Sequence, residues 1–169
     1  HSIDVNITTS TGTTALMLAR PECIDILAQF SNIDYNFCDN ENNSVLHYAI
    51  NTSEYMDLFT RLHQFFPKLN PNICNNDGMT PLMNAIKQNK IDCILLLQIF
   101  DNWSFSGQDL LGFTTLMYFV LYQNDNINKL LTLFSEYIHL FDVNQTDNDG
   151  NTALHHAVKL GYLDTVELL

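Results

Sequence analysis

The chain has 169 residues, enough for one domain with its own core or for a short array of repeats. Hydrophobic residues make up 46% and charged residues 15%, a balance that excludes a disordered polyelectrolyte. With 19 acidic against 7 basic residues the net charge is −12, which disfavours nucleic acid and anionic membrane and leaves a protein partner, basic or with an exposed apolar patch, as the compatible one.

The first recognisable element is the stretch TGTTALMLA, in which a glycine is followed by a hydroxyl residue, a leucine and then an alanine at fixed offsets. The same sentence recurs along the chain around Leu16, Leu46, Leu82, Leu116 and Leu154. Two residues before each leucine stands Thr14, Ser44, Thr80, Thr114 or Thr152. Four before stands Gly12, Asn42, Gly78, Gly112 or Gly150; three after stands alanine, except at Phe119. Ten before stands Asn6, Asn36, Asn72, Ser106 or Asn144.

Each position predicts a local structure. Glycine or asparagine at the fourth place before leucine marks a tight turn with positive φ, the tip of a hairpin. The hydroxyl residue then caps a helix by accepting an orphan N–H, and Pro81 suits the first helical position after Thr80. The leucine faces inward, and the alanine lets a neighbouring helix approach closely.

In chain order, the first repeat is short between its helices (LMLARPECIDIL), so Pro21 starts its second helix directly. The second repeat predicts a longer second helix that Pro67 ends, and the third predicts one from the spacing of Ile91, Ile94 and Leu95. The fourth carries Phe119 where close packing wants alanine, a bulk expected to push neighbouring helices apart or turn the stack locally, and then a helix through Ile127, Leu130 and Leu131. The fifth ends with Leu163 and Val166 at helical spacing. Between repeats the pattern alternates, as in Ile33-Tyr35-Phe37, Leu69-Pro71-Ile73, Trp103-Phe105 and Phe141-Val143, which predicts extended returns with Trp103 and Phe105 turned into the core.

Turn, helix, loop, helix and return, at a period of about 33 residues, resembles the ankyrin repeat family. The stretches NNDGMTPLMNA, DNDGNTALHHA, IDVNITTSTGTTALMLA and FDVNQTDNDG carry the resemblance, which spans essentially the whole chain. It implies an all-α solenoid of stacked helix-turn-helix units with β-hairpin finger loops. The expected repeats are 8–37, 38–73, 74–107, 108–145 and 146–169, with 1–7 the tail of a preceding repeat and the whole a piece of a longer array. Leu82 and Leu154 are expected to be fully buried in the inter-repeat core.

Candidate chemical sites read as structural. Adjacent helical residues such as His155 and His156 point about 100° apart and cannot easily share one metal ion. His155 and His47 stand where the family's histidine supports the hairpin. The stretch QTDNDGN has His156 where a calcium loop needs a bidentate glutamate, so calcium does not fit. Cys38 and Cys74 fall at equivalent positions and read as packing groups. No phosphate-binding loop, nucleophile elbow or zinc-protease motif occurs, so neither catalytic residues nor cofactor or metal ligands are expected. Unpaired cysteines and the lack of a leader pattern suggest a cytoplasmic protein, with the nucleus possible.

The family resemblance implies binding of a partner protein through fingertips and the concave helix face. Most of those positions are polar here, but the fourth repeat presents Leu110, Leu111 and Phe113 at its tip and Leu121 and Tyr122 on its helix. With Met79 on the neighbouring finger, these residues form either an interaction surface or a cover over local core. Asp77, Asp109 and Asp149 flank them and are expected to steer a basic partner. A regulatory or targeting role within a larger enzyme or regulator (a GTPase exchange factor, acyltransferase, phosphodiesterase or transcription regulator, for example) is the alternative to a scaffold or adaptor module.

Overall fold

The computed structural model describes residues 3–122 and 127–169, with the backbone alone at 127–130 and 133. The expected apolar contacts of Ile127 and Leu130 therefore lie outside the described residues. Helices come in antiparallel pairs. A single turn at 15–18 is followed by α1 (Pro21–Leu27); then come α2 (Val45–Ile50) with α3 (Tyr55–Phe65), and α4 (Pro81–Lys87) with α5 (Ile91–Leu97). The last two pairs are α6 (Thr115–Leu121) with α7 (Ile127–Tyr137), and α8 (Ala153–Leu160) with α9 (Leu163–Leu168).

The predicted start and stop signals operate as written. Thr80, Thr114 and Thr152 each accept the backbone N–H three residues on, from Met83, Met117 and His155. Pro21 and Pro81 open α1 and α4. Pro67 follows the end of α3, and α8 stops at Gly161, which takes φ of 75° while Tyr162 N–H returns to the carbonyl of Ala157. In the first repeat the leading helix is reduced to one turn, because Pro21 follows Leu16 so closely.

Stacking buries a continuous core. First helices pack on first helices (α2 on α4, α4 on α6, α6 on α8), and second helices likewise (α1 on α3, α3 on α5). Leu16, Leu46, Leu82 and Leu116 are all buried, and Ala49, Ala85 and Ala157 bring the neighbouring helix close. Leu154 departs from the expectation at 42% exposure. Its counterparts are covered by the helix pair that follows them, whereas α8 and α9 are the last pair described. Val158, one turn on, is exposed for the same reason, whereas its counterparts Ile50, Ile86 and Val120 are buried.

Phe119 is also accommodated differently from the expectation. Its ring is fully buried and stacks on Phe134 of its own repeat, with centroids 4.0 Å apart. Phe134 in turn meets Phe105 and Phe141, and Phe105 meets Trp103 and Tyr137. The extra bulk is thus taken up by an aromatic cluster formed by the fourth repeat and the returns on either side of it, while α6 still packs on both α4 and α8. The returns are corrected as well. They are bends and turns rather than extended strands, and in the hairpin fingers the pairing amounts to isolated bridges, Thr8 with Thr14, Cys38 with Ser44 and Gln108 with Thr114.

Burial separates two leucines that the sequence makes equivalent. Leu82→Ala is expected to lower unfolding free energy by about 2–5 kcal/mol, and Leu154→Ala by less than about 1 kcal/mol. Chemical denaturation of the two variants, compared at the same m-value, measures the difference.

Candidate functional site: the fingers and the inner helix face

Seven residues before each inward leucine stands Thr9, Asp39, Asn75, Asp109 or Asp147. The side-chain oxygen at this place closes its own finger. Oδ1 of Asp39 accepts the N–H groups of Glu41 and Asn43 at 2.9 and 2.7 Å, and Asn75 does the same for Asp77 and Met79. Asp109 binds Leu111 and Phe113 at 2.9 and 2.8 Å, and Asp147 binds Asp149 and Asn151. Thr9 Oγ1 accepts one loop N–H, that of Thr13 at 3.2 Å, and shares a hydrogen bond with the Thr11 hydroxyl at 2.8 Å. A carboxylate has a second oxygen, and it reaches the inner helix: Tyr48 donates to Asp39, Tyr118 to Asp109, and His156 pairs with Asp147, each at 2.8 Å.

These contacts move the ionisation of the groups that make them. Burial pushes Asp39 up, but the N–H groups of Asn43 and Glu41, the Tyr48 hydroxyl and the Asn43 amide together hold it below the usual carboxylate range. Asp147 is depressed in the same way: burial opposes, and bonds from Asn151, His156 and Asp149 prevail. Tyr118 is raised, by burial first and by its bond to Asp109 second.

Consecutive fingers are joined by main-chain bonds. Asn40 N–H donates to the carbonyl of Thr11, Asn76 to Glu41, Leu110 to Asp77, and Asn148 to Leu111, all at 2.8–3.0 Å. At the third finger this approach leaves no room for a side chain. Gly78 has φ of 80°, and a Cβ there would lie 2.8 Å from Cα of Asp109 and 2.9 Å from N of Leu110. Asn42, at φ 61°, takes the glycine place in the second finger and spends its amide on the carbonyl of Cys74.

The first tip residue of a finger is normally asparagine, and its amide adds a second link backward. Asn40 donates to the carbonyl of Ser10, Asn76 to that of Asn40, and Asn148 to that of Leu110. Leu110 occupies this place in the fourth finger and supplies no amide. The carbonyl of Asn76 is left without the bond its counterparts accept. Leu110 is 70% exposed and Leu111 61%, so neither covers core.

The other expected contact residues fall in several places. Phe113 is half-buried, edge-on to Tyr118 at 6.3 Å and tilted against His156 at 5.5 Å, so it anchors the fourth finger to α6 and α8. Leu121 is half-buried near the end of α6; Tyr122 is exposed and stacked on Tyr118 at 5.6 Å. Met79 is 5% exposed and belongs to the core, which withdraws it from any contact surface. Asp109 is a finger staple rather than a free steering charge, while Asp77 and Asp149 are exposed at the tips on either side of the leucines.

The arrangement places all five fingers and the first helices of the pairs on one side of the stack, joined by a regular polar lattice. The family model for ankyrin repeats, a unit of three copies, matches residues 21–105, 53–136 and 95–169. The chain belongs to the ankyrin repeat family. This ankyrin stack is similar to the crystal structure of the ankyrin repeat protein EF0377, at 23% identity over 99% of this chain and 84% of that one, with a TM-score of 0.77. An ankyrin repeat domain from Acinetobacter baumannii AYE, ABAYE2397, is 22% identical over 99% of this chain and 85% of that one, with a TM-score of 0.79. A chain in the complex of the predatory endopeptidase Bd0816 from Bdellovibrio bacteriovorus with the immunity protein Bd3460 is 22% identical over 98% of this chain and 84% of that one, with a TM-score of 0.72. No curated protein matches the chain by sequence.

Within the ankyrin stack the histidines act as read from the sequence. His47 takes the Ser44 N–H on Nδ1 at 3.1 Å and directs Nε2 to the carbonyl of Met79, on the next finger, at 3.1 Å. An acceptor Nδ1 requires the neutral ring with its proton on Nε2. His155 bonds Thr152 in the same way. Among the described residues no group of three or more His, Cys, Asp or Glu is placed to hold a metal ion. The cysteines are free, and burial pushes Cys93 up to about 12. No helix among the described residues is long and apolar enough to cross a membrane.

Two sets of residues were not assigned a role from the sequence. The finger oxygens are one, and their signal was a recurrent Asp, Asn or Thr seven before leucine. The other is the asparagine ten before leucine, which stitches the returns: Oδ1 of Asn6, Asn36 and Asn72 accepts the N–H of Asp34, Asn70 and Ser104 at 2.8–2.9 Å.

Burial of His47 holds its pKa below the usual value, outweighing the favourable Met79 carbonyl and Asp39 charge. The folded state therefore prefers the neutral ring. The associated stability is complete above the unfolded pKa of about 6.5 and is lost as pH falls below it toward the lower folded value. Melting temperature is expected to drop between about pH 7.5 and pH 5.5, and to drop less in His47→Gln. Parallel melts of the two proteins across that range check this.

Proposed function

We propose that the chain is a protein-binding module whose contact surface is centred on the fourth finger. Leu110 carries this reading. At the place where three other fingers use an asparagine amide to tie the stack together, this finger has a leucine that forgoes the bond and lies 70% exposed. Leu111 beside it, 61% exposed, adds to the apolar area. Apolar area of this kind is unfavourable in the free protein and favourable once covered, at about 25 cal/mol per Å². The net charge of −12 and the exposed Asp77 and Asp149 favour a partner with a basic rim around an apolar patch.

A chain of the same fold occurs in a complex of two proteins, the endopeptidase Bd0816 with Bd3460, which is compatible with a binding role for this stack. The free thiols and the absence of catalytic motifs are compatible with an adaptor in the cytoplasm or nucleus.

Stability and binding are expected to move in opposite directions at Leu110. Leu110→Asn restores the amide donor opposite the Asn76 carbonyl, so melting temperature should hold or rise by about 1–3 °C. Adding Leu111→Asp should abolish partner binding with the helical circular dichroism spectrum intact. Phe113 is left alone because it anchors the finger. Affinity capture with quantitative mass spectrometry, native against the double variant, reads the result; partners captured equally by both proteins exclude the fourth finger as the contact surface.

A further inference from the structure

We infer that the hollow between the fourth and fifth returns is a binding site for a small aromatic carboxamide, a flat ring bearing a primary amide. Its walls come from the returns and the end of α7, and no fingertip residue is among them. The site is therefore independent of the fourth-finger reading.

The asparagine ten before the inward leucine joins one return to the next through its carboxamide. The oxygen accepts the N–H of Asp34, Asn70 or Ser104. Asn6 and Asn72 also donate, to the carbonyls of Asn32 and Asn102, each two residues before the N–H that is accepted. The fourth return has Ser106 at this place. Its hydroxyl turns back to Ser104 Oγ at 2.7 Å and makes no bond to the fifth return. The fifth return keeps the local shape of its counterparts: Asp142 Oδ1 takes the N–H of Asn144, as Asp34 takes that of Asn36 and Asn70 that of Asn72. The N–H of Asp142 and the carbonyl of Leu140 stand where a carboxamide would bond, and neither has a hydrogen-bond partner among the described residues.

A hollow of about 300 Å³ lies at the missing stitch, lined by Trp103, Ser104, Phe105, Ser106, Tyr137 and Leu140. Ser106 and Leu140 belong to the two returns that the stitch would join. Most of the remaining wall is aromatic: Trp103 is edge-on to Tyr137, with centroids 5.8 Å apart, and to Phe105 at 4.4 Å. Trp103 and Tyr137 are half-buried and Leu140 is 57% exposed, so they have apolar surface left to cover. Apolar and aromatic walls around a few fixed polar groups are the usual lining of small-molecule sites, and this volume falls at their lower end. The chain itself shows what suits the polar pair, a carboxamide with one acceptor and one donor on the same carbon. Asparagine and glutamine carry that group on methylenes, whereas an aromatic ring gains edge or stacking contacts with Trp103 and Tyr137. A carboxylate lacks the donor for Leu140 and is repelled by the net charge of −12.

Trp103 is the single tryptophan of the chain, so its indole resonance reports on this hollow. Proton–nitrogen NMR spectra of the chain are titrated with benzamide, and the Trp103 indole and Asp142 amide signals should shift together and saturate. Acetophenone keeps the ring and carbonyl but has no N–H donor; acetamide keeps the carboxamide of an asparagine side chain but has no ring. Each should bind at least about tenfold more weakly than benzamide. Ser106→Asn supplies the missing carboxamide from within the chain. Its melting temperature should hold or rise, and benzamide should no longer move either signal. Leu110→Asn should leave the titration unchanged, which separates this site from the fourth finger. The inference is overturned if benzamide shifts neither signal, or if acetophenone matches it, which would reduce the site to an apolar surface. It is also overturned if acetamide matches benzamide, which would make the occupant an asparagine-like side chain, or if Ser106→Asn binds benzamide as the native chain does. Should Ser106→Asn fail to fold, the order of the three probes on the native chain still decides.

Discussion

Four of the five fingers are closed by one side-chain oxygen that accepts two of the loop's own backbone N–H groups. A hairpin of a few residues has little stability of its own in water. The local bonds to Asp39, Asn75, Asp109 and Asp147 give each loop a defined shape without help from its neighbours. A loop so shaped can bring its glycine so near the next finger that a Cβ there would lie under 3 Å from backbone atoms, and the main-chain ladder between fingers becomes possible. The spacing of that ladder and the spacing of the stacked helices must then agree, which is why a single regular core runs under all five fingers.

The second carboxylate oxygen extends the same device. Where the finger residue is Asp, the position two after leucine is Tyr48, Tyr118 or His156, each with a donor that reaches it. Where the finger residue is Thr9 or Asn75, that position is Leu18 or Asn84. Donor and acceptor are matched repeat by repeat, because a buried carboxylate oxygen without a donor is costly and a buried hydroxyl without an acceptor is too. His156 adds Phe113 to its contacts, so the fourth and fifth repeats share an aromatic and polar seam on the inner face.

Against that lattice the fourth finger stands out as the place where stability has been given up. Leucine at the tip loses a hydrogen bond and leaves apolar surface in water, and among the described residues neither loss has a compensating contact. Phe119 shows the contrast. It too breaks the repeat pattern, but its ring is wholly buried against Phe134 and has a structural explanation.

The repeat period, the caps, the positive-φ turns at Gly78 and Asn42 and the buried Leu82 were all legible in the sequence. Each depends on chemistry acting within about ten residues, between a hydroxyl and a nearby N–H, or a glycine and its own φ. Tertiary structure decided the rest. Leu82 and Leu154 have the same local sequence, yet among the described residues only the first is covered by a following helix pair. Met79 and Phe113 hold equivalent finger positions, and contact with neighbouring repeats makes one core and the other a half-buried anchor. Asp109 reads as a surface charge until the loop folds around it. Burial and hydrogen-bond partnership across about 30–40 residues depend on which repeat stacks next, a relation that local periodicity does not encode.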